Sequence, residues 1–283
     1  MKYTLALIIA ISFLMACNSQ NKIVNVSTES VSIPFPESTS EIESRIFAEN
    51  DIQELDRSIR SARSIALNKE VFDHSHFNAL LKKYVKEDGR VNYAGFKKDK
   101  KILEAYLETI RTNNPKTTWS KNDRFAYYMN AYNAMTIDLI IKNHPIKSIK
   151  NINNPWEQRY WKIGDTFVSL EEIEHDVLRK MKDPRIHFGI NCASFSCPPL
   201  MNEAFTAATV DTQLEKLAVQ FINDPKRNKI TTDRVEISKI FRWFYEDFTK
   251  NGDLIYFLNT YSKVKIDKNA RVRYMDYNWE LNE

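Results

Sequence analysis

The stretch between Ser120 and Pro145 constrains the fold most, because it predicts a long helix with almost no polar face. Ser120 and Asp123 have the spacing of a capping box, and Pro145 prevents the helix from continuing past about Asn143. The apolar residues on its successive sides are Phe125, Ala126, Met129, Ala131, Ala134, Met135, Ile137, Leu139 and Ile140. A helix that is apolar nearly all round is buried, so other elements must pack around it.

Two amides interrupt the apolar surface of this helix. Asn130 and Asn133 lie about one turn apart, and a buried amide destabilises the fold unless it is hydrogen-bonded. Either the two side chains satisfy backbone groups of a packed loop or they line a polar site, and the sequence leaves both roles open.

Shorter helices and two β-hairpins are predicted around the long helix. Apolar residues at helical spacing mark helices over residues 77–84, 102–110, 214–221 and 254–261. Gly164 and Asp233 each lie between short extended runs, which predicts the two hairpins. Residues 241–248 are aromatic and expected in the core, and residues 272–279 are expected to be extended and to pack back on the domain. The pattern predicts a single helix-rich α+β domain with a small, mostly antiparallel sheet.

A further helix should precede the segment that is richest in reactive groups. Ser169 and Glu172 form a second capping box, and the helix that it opens is predicted to run to about Met181. His175 lies on this helix one turn after Glu171, and a carboxylate at that spacing favours the charged form of an imidazole.

Residues 185–190 are predicted to form a strand. Alternate residues of a strand share a face, so His187, Gly189 and Asn191 would point to the same side, away from the core. A glycine between two polar side chains leaves a gap that can admit a ligand or another backbone. The sequence therefore predicts a small polar pocket at the end of this strand.

Cys192 and Cys197 follow the strand and allow several chemistries. A disulfide between them would enclose four residues and fix the turn. A zinc site would need His187 and His175 beside both thiols, at a spacing that is not standard for zinc. Buried thiols without chemistry are a third alternative. Nucleophilic catalysis would combine one thiol with an imidazole base and an orienting amide or acid. The candidate catalytic residues are Cys192, His187, Asn191, His175, Glu174 and Asn130.

The composition narrows the class of function. Lys and Arg number 41 against 37 Asp and Glu, for a formal net charge of +4, and they do not cluster as a nucleic-acid-binding surface requires. The chain has 5 glycines and neither a G-x-G-x-x-G nor a Walker pattern. We expect no nucleic-acid partner, no cofactor and no metal, and instead a small-molecule or peptide ligand.

The amino terminus predicts export and a lipid anchor. Residues 1–16 carry one lysine and then an apolar run that is typical of a signal peptide and too short to span a bilayer stably. The run ends at Ala16-Cys17, which resembles the lipobox of bacterial lipoproteins, where the cysteine receives acyl chains such as palmitate. We expect a lipidated Cys17 with a flexible tether over residues 17–40, a helical segment over 41–71 and the globular domain over 72–283.

A lipidated Cys17 would attach the domain to a membrane of the bacterial cell envelope. Several acyl chains anchor a protein firmly where one is marginal. The next residue is Asn18, rather than the aspartate that resembles an inner-membrane retention signal, so the outer membrane is favoured over the inner. Disulfides form and persist in such a compartment, which leaves the pairing of the remaining two cysteines open.

Five motifs in one order resemble the domain-of-unknown-function family 547. They are DGRVNY at 88–93, FAYYMNAYNA at 125–134, SLEEIEH at 169–175, HFGINCASFSCPPL at 187–200 and YNWELN at 277–282. The resemblance covers about residues 72 to 282. Members of this family include bacterial secreted proteins and lipoproteins as well as plant proteins. It implies that the long helix, the Glu-Ile-Glu-His helix and the cysteine segment belong to one unit.

The family carries no established activity, so the resemblance leaves the function open. Plant members resemble this segment without both cysteines, which implies that the shared feature is a polar pocket rather than a disulfide. The residues that would build it are His187, Asn191, Asn130 and His175. A distant likeness to thiol hydrolases of the papain or transglutaminase kind implies a hydrolase or acyl transferase as one alternative. The rival alternative is a non-catalytic interaction protein of the cell envelope.

Overall fold

The computed structural model describes Gln53, Arg57 and residues 72–283. The predicted signal peptide, the acylated Cys17, the tether to residue 40 and, except for Gln53 and Arg57, the helical segment over 41–71 lie outside the described residues. Residues 72–283 lie in one compact unit. In this part of the chain no helix is both long enough and apolar enough to cross a membrane.

The long central helix is confirmed and is the core of the fold. In chain order the first four helices are α1 (Ser75–Tyr84), α2 (Tyr93–Lys98), α3 (Lys100–Thr112) and α4 (Lys121–Asn143). Ser120 caps α4, since its Oγ accepts from the Asp123 amide at 3.1 Å while the Asp123 carboxylate accepts from the Ser120 amide at 3.0 Å. Between Phe125 and Ile141 every residue except Tyr128 is buried. The surrounding elements include α2 and α3 and two later helical segments.

The helix that begins after Ser169 is confirmed as far as Met181, but it is irregular. It starts as α5 (Leu170–Glu172), continues as a π-helical segment (Ile173–Leu178) and ends in a 3-10 turn (Arg179–Met181). The π-helical segment packs against α4. Wider helical turns of this kind occur frequently at functional sites, and this one carries Glu174 on its buried side.

The strand predicted over residues 185–190 is wrong. Ile186–Gly189 forms a short helix, α6. The turn that leads into it begins at Asp183, whose side chain accepts a hydrogen bond from the Arg185 amide at 3.0 Å. The proline after Asp183 favours this start, because proline is well placed in a first helical turn. The alternation of polar and apolar residues did not indicate a strand here, because all residues from Ile186 to Ile190 are buried. A short apolar run that is covered on every side does not distinguish strand from helix.

The remaining helices are α7 (Val210–Ile222), α8 (Ile240–Trp243), α9 (Tyr245–Phe248) and α10 (Leu254–Tyr261). Helix α7 packs on both α4 and α6. The aromatic stretch is only partly core, since Phe241 and Phe248 are buried but Trp243 and Tyr245 are exposed.

Both predicted hairpins are present, although the strands form two sheets instead of one. Strands β1 (Trp161–Ile163) and β2 (Thr166–Val168) pair antiparallel. Strands β3 (Lys229–Ile230) and β4 (Arg234–Ile237) also pair antiparallel, and β5 (Arg271–Tyr274) joins β4 in parallel. The α+β class is confirmed.

The carboxyl-terminal segment returns to the domain as predicted. After β5 it forms isolated bridges between Glu280 and Ser148 and between Leu281 and Ser194. The second bridge places this segment directly beside the cysteine loop, defined here as residues 191–198.

Candidate functional site

A cavity of about 250 Å³ opens beside the cysteine loop. Its wall includes Tyr132, Glu174, His175, His187, Cys192 and Tyr277. Four of the six candidate catalytic residues therefore meet in one cavity, although they come from the π-helical segment, α6 and the cysteine loop. Asn130 and Asn191 are buried outside its wall.

Cys192 presents a half-buried thiol to this cavity. Its Sγ lies 3.1 Å from Ser194 Oγ and 3.4 Å from Tyr277 Oη, and the Ser194 hydroxyl also donates to Tyr277 Oη at 2.9 Å. Hydrogen bonds from the Cys197 side chain and then from Ser194 and Tyr277 outweigh burial and lower the pKa of the Cys192 thiol to about 6. A thiolate is therefore its main form at neutral pH, and the thiolate is the nucleophilic form.

Cys197 is the buried partner of Cys192. The backbone N–H of Cys192 donates to Cys197 Sγ at 3.1 Å. Burial and then the neighbouring Cys192 raise the pKa of the Cys197 thiol well above its usual value. Both cysteines are free thiols in this structure, and a disulfide between them stays a prediction.

Asn191 holds the cysteine loop closed. Its Nδ2 donates to the Pro198 carbonyl at 2.8 Å, across the full width of the loop, and its Oδ1 accepts from the Ala193 amide at 2.8 Å. The Asn282 side chain also donates to Oδ1, at 3.2 Å. Ala193 has φ +62°, a conformation that costs energy for a residue with a side chain. Asn191 is thus a positioning residue that keeps the thiol in place.

The two amides of α4 satisfy backbone groups, which was one of their two predicted roles. Asn133 donates to the Gly189 carbonyl at 3.0 Å and accepts from the Asn191 amide at 2.8 Å. Asn130 bonds the carbonyl and the amide of Phe205 at 2.8 and 3.0 Å. Asn133 therefore fixes the entry to the cysteine loop, whereas Asn130 supports a different loop.

The gap expected at Gly189 is absent. A Cβ built on Gly189 would lie 3.0 Å from the Leu214 side chain and 3.0 Å from Met129 Sδ. The glycine is needed for close packing of α6 against α4 and α7, and it is buried. The expectation of a ligand site on a strand face is wrong because α6 is helical and buried.

His187 pairs with a carboxylate, that of Asp247, which no sequence pattern identified. His187 Nε2 lies 2.8 Å from Asp247 Oδ2, and the Phe244 ring stacks on the imidazole with 3.9 Å between centroids. Burial lowers the pKa of His187, although Asp247 opposes this effect. A carboxylate only accepts, so Nε2 carries the proton of the neutral ring and Nδ1 keeps its lone pair.

Glu174 faces that lone pair. Its Oε1 lies 3.9 Å from His187 Nδ1, and its Oε2 accepts from the Tyr132 hydroxyl at 3.3 Å. Burial, followed by the nearby charge of Cys192, raises the pKa of Glu174 to about 7. A carboxyl that titrates near neutral pH inside a cavity is typical of a proton-transfer group.

Arg179 connects Asp247 to His175 at the rim of the cavity. It donates to both oxygens of Asp247, at 2.6 and 3.2 Å, and its Nη1 lies 2.8 Å from His175 Nδ1. Although burial opposes it, hydrogen bonds from His187 and Arg179 hold the pKa of Asp247 below its usual range. Burial and Arg179 lower the pKa of His175 and outweigh the opposite effect of Glu171. His175 is exposed and lies at the rim.

Aromatic side chains form the outer wall of the cavity. Trp243 and Trp279 stack with 5.7 Å between centroids, and Tyr277 lies 4.8 Å from Trp243. Trp156 meets the edge of Trp279 at 5.7 Å. One wall of the cavity is therefore aromatic.

Sequence reasoning missed four groups that contact the candidate residues: Ser194, Tyr277, Arg179 and Asp247. The position of Asp247 inside an aromatic stretch was the available signal, since an acid among core residues needs a partner. No group of three or more His, Cys, Asp or Glu side chains within residues 72–283 is arranged to hold a metal ion.

The fold and the cavity define a helix-rich α+β domain with a reactive thiol beside a buried histidine–carboxylate cluster. Residues 116–222 match the model of the family described as "Protein of unknown function, DUF547". This match supports the resemblance that the motifs indicate, and it includes Glu174, His187 and both cysteines of the loop. Asp247 and Tyr277 lie beyond the matched residues. No curated protein and no solved structure matches the chain.

Proposed function

We propose that this chain is a thiol-dependent hydrolase or acyl transferase that is anchored to a membrane of the bacterial cell envelope. The observation that carries the proposal is the position of Cys192 Sγ, which faces the cavity within hydrogen-bonding distance of the Ser194 and Tyr277 hydroxyls. Glu174 and His187 line the same cavity. A nucleophile, donors and a proton-transfer group are the parts that acyl transfer through a covalent intermediate requires.

Cys192 is the nucleophile in this proposal. Its thiolate attacks the carbonyl carbon of a substrate in the cavity, the sulfur–carbon bond forms, and negative charge moves to the carbonyl oxygen. The Tyr277 hydroxyl donates to the thiolate before attack, while the Ser194 hydroxyl donates to Tyr277 Oη. Once the sulfur is bonded to carbon it no longer accepts this bond, so the Tyr277 hydroxyl is free to donate to the new oxyanion, where preorganised donors lower the barrier most.

Glu174 supplies the proton for the leaving group. The negative charge on Cys192 is one cause of the raised pKa of Glu174, so the ionised nucleophile and the protonated acid coexist at neutral pH. The leaving group departs with this proton, which leaves a thioester and a Glu174 carboxylate. Water or another acceptor then gives its proton to the carboxylate and attacks the thioester, and the Cys192 thiolate is regenerated.

His187 and Asp247 orient this acid. Nε2 of His187 is occupied by Asp247, so Nδ1 is directed at Glu174 and is the acceptor nearest to its proton. At 3.9 Å the pair is too far apart for a hydrogen bond, and it shortens when substrate excludes water from the cavity. His187 is therefore a positioning residue in the resting protein.

The cavity limits the substrate class. Its volume of about 250 Å³ admits one small acyl group or side chain rather than a whole drug-sized ligand. The aromatic wall of Trp243 and Trp279 contacts the part of a small molecule or peptide that remains outside. The substrate in this proposal is a small ester, thioester or amide, or such a group on a peptide.

Acetylation by p-nitrophenyl acetate tests the chemistry. The full chain with Cys17→Ser, which keeps both loop cysteines, should release p-nitrophenol and carry an acetyl group on Cys192 in peptide mass spectra of the acid-quenched reaction. Cys192→Ser in the same background should lose both signals. Acetylation confined to lysines, or equal release by both variants, would contradict the proposal.

The membrane anchor rests on the sequence of residues 1–17. Acylation of Cys17 would place the domain at the outer membrane rather than the inner one, with the lipid as the membrane contact. Metabolic labelling with radioactive palmitate should mark the wild-type chain and not Cys17→Ala, and density-gradient fractionation should place the labelled protein with outer-membrane markers. An unlabelled wild-type chain would remove the anchor without affecting the chemistry of the cavity.

The alternative of a non-catalytic interaction protein has one observation in its favour. Trp243 is 46% exposed and stacks on Trp279, which is the type of aromatic surface that partner proteins use. In that case Trp243→Ala abolishes binding of an envelope partner, whereas Cys192→Ser and His187→Ala leave the binding intact.

A further inference from the structure

The proposed acyl transfer needs one thiol, yet the cysteine loop holds two. Cys197 is 5% exposed and lines the inner side of the same cavity. The amide of Cys192 donates to the Cys197 sulfur at 3.1 Å, and the Cys197 side chain is the main cause of the lowered pKa of Cys192. A second, buried nucleophilic group in contact with the first has no role in attack on a carbonyl.

The loop backbone is already folded so as to bring the two sulfurs together. The Cys197 amide donates to the Ser194 carbonyl at 3.1 Å, and Asn191 bonds Pro198 from the other side of the pair. The left-handed residue Ala193 reverses the chain between them. A disulfide requires Cα atoms within about 7 Å and Cβ atoms that face each other, and the 3.1 Å contact between Cys192 N and Cys197 Sγ places the second sulfur beside the backbone of the first cysteine.

The two thiols are also unequal in the way that thiol–disulfide exchange uses. Cys192 is half-buried and Cys197 is buried, and both contribute to the wall of the cavity. In a dithiol pair the accessible thiolate attacks first, and the protected thiol attacks the resulting mixed disulfide from within. A buried Cys197 cannot be captured by a second external molecule before it reacts with Cys192.

We propose that Cys192 and Cys197 form a reversible redox couple that reduces small disulfides entering the cavity. The inference shares Cys192 with the proposed acyl transfer but does not depend on it. The ligand class is a disulfide R–S–S–R with a flat or apolar R group, because the wall of the cavity includes Trp243, Trp279 and Tyr277.

The exchange balances in two steps. Cys192 S⁻ attacks one sulfur of the external disulfide, the S–S bond breaks, and RS⁻ leaves while a mixed disulfide forms on Cys192. Cys197 then gives its proton to water or buffer, and its sulfur attacks Cys192 Sγ and releases the second RS⁻. Two electrons pass from the protein to the external disulfide, and the product is the Cys192–Cys197 disulfide, which an external dithiol reduces again.

Closure of this disulfide also stops acyl transfer, because the nucleophile is then bonded to Cys197. The oxidised form should reject p-nitrophenyl acetate, and treatment with a dithiol should restore acetylation. In an oxidising compartment the couple makes the proposed acyl transfer dependent on a supply of reducing equivalents.

Stoichiometric reaction with dithiodipyridine tests the couple. The full chain with Cys17→Ser should release two equivalents of thiopyridone, retain no pyridyl group and show a peptide that links Cys192 to Cys197. Cys197→Ser in this background should release one equivalent and keep the pyridyl group on Cys192. Cys192→Ser should react slowly, because Cys197 is buried. A stable mixed disulfide on the protein with both thiols would overturn the inference.

A redox titration tests the couple without a substitution in the cysteine loop. The Cys17→Ser chain is equilibrated in mixtures of reduced and oxidised glutathione and then alkylated under denaturing conditions. The closed form should rise with the oxidised fraction and disappear on return to reducing buffer. A dithiol that stays open in every mixture would overturn the couple, while acetylation of Cys192 in that sample would leave the proposed acyl transfer standing.

Discussion

The imidazole of His187 and the carboxylate of Asp247 are joined by a 2.8 Å hydrogen bond across 60 residues of sequence. This bond connects α6 to α9, and it fixes which nitrogen of His187 faces Glu174. Asp247 is in turn held by Arg179 at 2.6 Å. The protonation state of the cavity is therefore determined by residues that come from three separate parts of the chain.

Asp247→Asn should impair the chemistry more than it impairs the fold. The amide no longer selects the tautomer of His187, and the pKa of His187 falls further because a carboxylate that raised it is gone. We expect a loss on the order of 10²-fold in p-nitrophenyl acetate turnover, the effect of misplacing a group by about 1 Å. Asp276→Asn, at a fully exposed carboxylate that pairs with Lys239, is the matched control. Histidine resonances titrated by NMR should show the shift in His187 and a smaller one in His175, whose pKa Asp247 also raises.

Glu174→Gln should change how stability depends on pH. The folded pKa of about 7 lies above the usual value of 4.5, so the folded wild type binds more protons than the unfolded chain between these values. Its free energy of unfolding therefore falls as pH rises from about 4.5 to 7, by an amount on the order of 3 kcal/mol. Gln does not titrate, so the variant lacks this pH-dependent loss. Between pH 5 and pH 8 its free energy of unfolding should fall less than that of the wild type. Urea unfolding at both pH values measures it, with the exposed Glu171→Gln as control.

Tyr277→Phe should raise the pKa of Cys192. The rate of alkylation by iodoacetamide in the wild type should reach half its maximum near pH 6, where the thiol titrates. Loss of the hydroxyl that lies 3.4 Å from Sγ removes a donor to the thiolate, so the midpoint should move to higher pH. Tyr256→Phe, at a side chain that is 63% exposed, should leave it in place. An unchanged midpoint in Tyr277→Phe would show that this hydroxyl does not donate to the sulfur.

Asn191→Ala should destabilise the whole domain rather than only the loop. The change leaves the Pro198 carbonyl and the Ala193 amide without their side-chain partner, and a buried polar group left unpaired costs about 1–3 kcal/mol. We expect a loss of that size for each group in urea unfolding, with faster alkylation of Cys197 as the loop opens. Asn122→Ala, at an exposed position in the first turn of α4, is the comparison. Equal stability of the two variants would mean that Asn191 does not hold the loop.

Much of the fold could be predicted because its signals are local. The capping box at Ser120, the apolar sides of α4 and the turn at Gly164 each depend on residues a few positions apart, and all three are confirmed. The strand over 185–190 failed for a physical reason. Its alternation came from His187, whose polarity is satisfied inside the protein by Asp247 and not by solvent.

The site could be predicted only in part. Cys192, His187, Glu174 and His175 were candidates by residue type, and the structure brings them to one cavity. The partners Asp247 and Tyr277 were out of reach, because they lie 60 and 85 residues from the side chains that they contact. Local sequence patterns do not predict contacts between residues so far apart in the chain. The pairing of β5 with β4, which brings Tyr277 to the cavity, is also a contact between distant residues.

The placement of Tyr277 has a consequence for the newly made chain. Until β5 and the segment after it dock, Cys192 lacks the Tyr277 hydroxyl, one of the groups that lower its pKa from the usual value of 9.0. A thiol without that donor is more often protonated and reacts more slowly while the chain folds. Nucleophilicity is thus acquired at the end of folding, which protects an incomplete chain from reacting with the wrong electrophile.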